Sequence, residues 1–359
     1  MLLRRFDLDD KQAGIKLKFD KPKHLTTWEH YYNCYNYTIE KIFNKGFQGS
    51  YTFNSKSRGI LFLIRQSFEL CIKHNIELNE LKIPNSHDFN QLYLAFNGKN
   101  IIPQEFKDVI EKINFDSDGT CYRYYQEKES GKPYFTFNNR IELAELIKDY
   151  ASIPSSSKFI KGNICEVFDY VDRRKIWDLT FHMGECTGLG QIRTQYDEVI
   201  EFLIEGILFD GYDINKIYLP LLFLIRHSLE LALKFNLLKA AKISTLVPAK
   251  EYDNMHSLAQ LYNCFGGEDG FLSRVNVAQM PDLTKKQYEL YKQQYQELNG
   301  AIHDLDINSM YFRFPVDIKG KKHSLNLKSY GIIKILRLYY MTDPFITFTV
   351  DVLEQEGIV

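Results

Sequence analysis

The chain has 359 residues, 45% hydrophobic and 25% charged, with a formal net charge of −1; this describes a folded globular protein with room for two or three domains and no global basic field to attract nucleic acid. Aromatic residues at 14%, with 24 Tyr and 26 Phe, supply large cores and exclude disorder over most of the length. The six cysteines form no C-x-x-C pair and no metal-ligand spacing, so neither a bound metal nor a disulfide framework is expected, and a reducing cytoplasmic setting fits best.

In chain order, MLLRRFDLDDKQ turns acidic before an apolar region develops, which does not read as a secretory signal. No apolar run reaches the ~18 residues of a membrane span. The segment TTWEHYYNCYNYTIEKIF (26–43) predicts an aromatic-rich helix, and LFLIRQSFEL (61–70) predicts a helix apolar on most sides, suited to the middle of a bundle. NSHDFNQLYLAF (85–96) places His87 just before a short helix, and FDSDGTCYRY (115–124) and GKPYFTF (131–137) follow, the latter as a small hairpin arm. SIPSSSKFIKGN (152–163) is Ser-rich with a Pro and a Gly, a linker composition.

The elements then recur. TQYDEVIEFLIEGIL (194–208) is again a helix, and LFLIRHSLEL (222–231) repeats eight of the ten letters of 61–70 at an offset of 161. NMHSLAQLYNCF (254–265) repeats the second anchor at 169, aligning His256 with His87, and LDINSMYFRF (305–314) repeats the third at 190, aligning Arg313 with Arg123. TKKQYELYKQQYQELNGAI (284–302) is helical with a polar face, KGKKHSLNL (319–327) is a second hairpin arm, SYGIIKILRLYY (329–340) follows, and FITFTVDVL (345–353) fits strand or helix. Three collinear anchors imply a diverged tandem duplication, residues 1–155 and 164–359, mainly α.

Glu230-Leu231-Ala232-Leu233-Lys234, His256-Ser257-Leu258 and Arg313-Phe314-Pro315-Val316-Asp317 resemble the HEPN family of helical domains, which carry an A-x-K-A-L-K-type central helix, a T-H-x-L helix start and an R-Y-P-D ending. The resemblance implies two helical bundles packed as an intrachain pseudo-dimer, a tendency to homo-oligomerise, and a role in anti-phage defence or a toxin–antitoxin system, with RNA or a protein of the same system as partner. Many members are metal-independent RNases with the signature R-N-x-x-x-H. Residues 298–303 keep Asn299 and His303 but carry Leu298 in place of the Arg, and copy one, with Asp108, Val109 and Ile113, keeps nothing.

Two readings of the candidate residues follow. In the catalytic one, His303 is the base for a 2′-hydroxyl, Asn299 a positioning donor, and Arg226, His227 or Arg313 holds the phosphate. In the other, Arg226 and Glu230 pair one helical turn apart, as do Arg65 and Glu69, to orient each bundle. His87 and His256 then cap helices or sit at the edge of the core, Arg123 and Arg313 pair with Asp116 and Asp306, and His303 bonds Asp304 or Asp306. The absence of a P-loop, G-x-S-x-G or H-E-x-x-H motif leaves no cofactor implied. A binding module, an RNase with a rewired site and a scaffold without a nucleic-acid role all remain open.

Overall fold

A computed structural model describes residues 11–18, 27–48, 53–96, 101–162, 180–185, 188–247, 251–297, 299–305, 310–317, 319–323 and 333–358. The protein is mainly helical. Its α-helices are α1 (Lys11–Lys16), α2 (Trp28–Gln48), α3 (Ser57–Leu78), α4 (Phe89–Leu94), α5 (Gln104–Glu111) and α6 (Leu143–Ser152), followed by α7 (Leu189–Phe209), α8 (Ile214–Ile243), α9 (Leu258–Gly266), α10 (Asp282–Glu297), α11 (Asn299–Leu305) and α12 (Ile333–Gln355). Residues 345–353 belong to α12: Ile346, Val350 and Leu353 are buried at steps of four and three, the helical period. Among the described residues no helix is long and apolar enough to cross a membrane.

Two compact units divide the chain. The larger holds Pro22–Leu224 and Met310–Asn326, the smaller Met1–Lys21, Ile225–Ser309 and Leu327–Val359. This partition differs from the one read at 152–163, because both sides of that stretch lie in the larger unit, where β1 (Arg140–Glu142) pairs antiparallel with β2 (Thr180–His182) across it. The expected hairpin arms are reduced to single bridges, Gln126 with Pro133 and Val316 with Lys322; residues 324–327 of the second arm lie outside the described residues.

The larger unit is built around α3, which is buried from Ser57 to Ile76 between α2 and α7. The helix ends in a Schellman turn: Leu81 N–H donates to the Ile76 carbonyl at 3.0 Å and Glu80 N–H to Glu77 at 2.9 Å. Glu80 takes the left-handed position at φ 55°, where glycine is usual. The N-terminal part of α8 lies in this unit, and Phe223 stacks on Phe62 with centroids 4.4 Å apart and planes at 12°. These two rings occupy equivalent positions of the repeat, at the offset of 161.

The third anchors dock in a reciprocal way. The phenol of Tyr35 on α2 donates to the Phe312 carbonyl at 3.1 Å, and that of Tyr196 on α7 donates to the Tyr122 carbonyl at 3.3 Å. Tyr35 and Tyr196 are 161 apart, and Tyr122 and Phe312 are 190 apart, the offsets of the first and third anchors. Each copy's third anchor is therefore held by the aromatic helix of the other copy. In the smaller unit, Lys239 of α8 reaches Asp351 and, at 3.1 Å, Glu354 of α12, and Tyr288 of α10 donates to the Leu272 carbonyl at 2.7 Å.

The reciprocity has a measurable consequence. Tyr35→Phe and Tyr196→Phe should each lower unfolding free energy by about 1 kcal/mol, since each leaves one buried carbonyl unpaired. Urea denaturation of the two variants checks this; a loss in only one would show that the two docking sites are not equivalent.

Candidate functional site

Both central helices carry a buried carboxylate with the same partners. On α3, Glu69 accepts from Arg65 at 3.3 Å and Lys73 at 2.7 Å, each one turn away, and from His87 Nδ1 at 2.7 Å. The Arg65 guanidinium also donates to the carbonyls of His87 at 3.0 Å and Ser117 at 3.4 Å. On α8, Glu230 accepts from Arg226 at 3.0 Å, Lys234 at 3.0 Å and His256 Nδ1 at 2.9 Å, and Arg226 donates to the His256 carbonyl at 2.6 Å. An ionised carboxylate only accepts, so Nδ1 carries the proton in both imidazoles.

Burial alone would raise the pKa of these carboxylates. For Glu69, Lys73, His87 and Arg65 overcome it and hold the group below the ordinary glutamate range; for Glu230, His256, Lys234 and Arg226 do the same.

Each cluster holds two permanent cations against one anion, and each lysine has a further contact. Lys234 donates to the Asp253 carbonyl at 3.0 Å. Lys73 lies 4.6 Å from the Phe314 ring centroid and 5.4 Å from that of Trp28, a cation–π arrangement. Gly119, at φ +72°, lets the chain pass Arg65 closely; a Cβ there would lie 2.6 Å from Nη1.

The structure disposes of the candidate residues as follows. Arg226 and His227 are buried, and Arg226 is committed to Glu230 and a backbone carbonyl, so it does not present its fork to a phosphate. Arg313 is also buried: its Nε donates to Gln66 Oε1 at 2.9 Å, and Gln66 Nε2 returns a bond to the Arg313 carbonyl at 3.1 Å. The Arg313 guanidinium lies over Phe62 and Phe223, at 5.6 and 5.7 Å. Burial first, and then the like charge of Arg123, lowers its pKa to about 10, so it stays charged at neutral pH. Gln66 is thus a partner of Arg313; the expected partner Asp306 lies outside the described residues. Asp116 closes a turn by accepting from the N–H groups of Gly119 and Cys121, in place of pairing with Arg123.

His87 and His256 are not caps. The residues after them cap, Asp88 accepting from Asn90 N–H and Ser257 from Gln260 N–H, while the imidazoles clamp the buried carboxylates. Asn299 is exposed at the start of α11 and His303 lies on the same helix. The His303 side chain and Leu298 lie outside what the structure describes. Among the described residues no group of His, Cys, Asp and Glu is arranged to hold a metal ion.

A groove of 490 Å³ opens beside the Glu69 cluster in the larger unit, with Trp28, Lys73, His87 and Phe314 among its lining residues. Sequence reading missed Trp28 and Gln66, since neither stands out by motif. For the tyrosines a signal existed: Tyr35 and Tyr196 share the 161-residue offset of the decapeptide. No protein-family model matches this sequence, and no curated protein or solved structure is significantly similar to it.

Two predictions follow from the clusters. Arg226→Ala should cost about 2–4 kcal/mol in unfolding free energy, because Glu230 loses a partner while staying buried. An unchanged urea midpoint would contradict the pairing. The pH dependence has a defined sign: with folded-state pKa values depressed below 4.5, the two carboxylates contribute stability that is fully present above the ordinary glutamate range and is lost as pH falls through and below it. The urea midpoint of the wild type should fall from about pH 5 downward, and Glu69→Gln and Glu230→Gln should each start lower at neutral pH and fall less steeply.

Proposed function

We propose that the chain is a tandem pair of HEPN-like bundles acting as an intrachain pseudo-dimer, and that it works by binding a partner protein in a defence or toxin–antitoxin system. The observation that carries binding over cleavage is the commitment of Arg226 and Arg313 to buried protein partners. A metal-independent RNase needs a cation or strong donors on the phosphate in the transition state, and the two arginines suited to that work are inside the fold. The pseudo-dimer is supported by the reciprocal tyrosine bonds, the Phe62–Phe223 stack and the duplicated carboxylate clusters. The defence role rests on the resemblance of the anchors.

The second reading, an RNase with His303 as base and Asn299 as donor, draws on one observation: the two residues lie one turn apart on α11, with Asn299 exposed. Incubating purified protein with total RNA in EDTA, beside a His303→Ala variant of unchanged melting temperature, separates the two. Binding without cleavage predicts intact RNA in both samples. Decay by the wild type to 2′,3′-cyclic phosphate ends, abolished in the variant, would overturn it in favour of the RNase.

A further inference from the structure

The geometry points to the groove beside Glu69 and Lys73 as the binding site for a peptide segment of a partner protein that carries basic and apolar side chains together. This rests on the protein-binding reading above and names its surface. Trp28, Leu81, Pro84, Phe314 and Pro315 give the groove apolar walls, and its 490 Å³ lies within the range of about 300–1,000 Å³ that accommodates a few side chains.

The floor is polar and incompletely answered. The Lys73 side chain is only 5% exposed, and its ammonium bonds Glu69 and faces two rings. Its equivalent, Lys234, has in addition a backbone carbonyl from Asp253. In copy one Pro84 stands at that position, and among the described residues no carbonyl takes the corresponding bond from Lys73. An ammonium has three donors; Lys73 gives one to Glu69 and turns its remaining charge to the Trp28 and Phe314 rings, so a carbonyl of an extended peptide lying in the groove meets donors opposed by ring faces.

The rim selects the charge of the occupant. Glu77, Glu80 and Asp317 line it against one exposed ammonium, Lys322, while the charge of Lys73 is already opposed by Glu69. That balance attracts lysine or arginine side chains and repels a polyphosphate backbone. Glu80 lines the rim from a left-handed backbone position, φ 55°, that disfavours a non-glycine residue.

The full-length protein is panned against a phage-displayed random peptide library. Selected peptides are remade with fluorescein and titrated by anisotropy against wild type, Glu77→Lys and Glu80→Gly. Both positions are exposed and Glu80→Gly relieves backbone strain, so its melting temperature should be unchanged or raised. The expected result is enrichment of Lys or Arg beside Leu, Phe or Trp, with roughly fivefold weaker binding by each variant. Peptides that bind the variants as tightly as wild type overturn the groove assignment and leave the protein-binding reading standing. Failure of any peptide to enrich overturns both. A fluorescent oligoadenylate that binds wild type and displaces the peptide assigns the groove to nucleic acid and overturns the proposal.

Discussion

A carboxylate buried in each of the two long helices that carry the repeated decapeptide governs much of the surrounding structure. An isolated glutamate in that setting would be driven to its neutral form. Glu69 and Glu230 remain charged because three donors converge on each, two from the same helix and one from the loop that leads to the next. The imidazole of that loop ties the segment after the long helix back against its middle, and the arginine takes the carbonyl of the same histidine. Helix, loop and following helix are thereby fixed in one register. Exchanging any of the four side chains leaves a buried group unanswered, which gives a physical reason for both copies to carry the same set.

The second constraint is the exchange of third anchors. Tyr35 and Tyr196 each hold a carbonyl of the other copy, and Gln66 and Arg313 are joined by two hydrogen bonds across the repeat. Placing Arg313 over the stacked pair of Phe62 and Phe223 replaces water with aromatic faces around a guanidinium. On the proposed reading, arginines available to a nuclease are here structural, and what is left open to solvent is a groove with aromatic walls and an acidic rim. Beside the groove, Lys73 sets its ammonium against the Trp28 and Phe314 rings.

Much of the helical architecture was legible because periodicity reports burial. The repeated decapeptide located both central helices and the Arg–Glu pair one turn apart. What periodicity does not report is the identity of a partner far along the chain. Arg313 was matched to Asp306 in its own anchor; spacing gives no sign that a glutamine 247 residues away also bonds it. His87 and His256 looked like caps because they precede helix starts; the capping residues were their immediate neighbours, with side chains of the right length. The contact division departs from the sequence division for the same reason, since residues 310–317 fall in the unit that also holds Pro22–Leu224, which includes part of copy two.

The exchanged anchor also sets a timetable for synthesis. Gln66, Tyr31 and Tyr35 leave the ribosome long before residues 311–313, the segment whose backbone they bond. At about 5–20 residues per second the wait is roughly 12–56 seconds. During that interval the aromatic faces and the amide of copy one are complete in sequence and incomplete in contact. The nascent chain therefore carries an open apolar seat matched to its own unfinished end, and a neighbouring nascent chain of the same protein, further along in translation, offers the same segment. Early copies on a polysome are thus candidates for each other's anchors, and the speed of elongation through the second half decides how long that competition lasts.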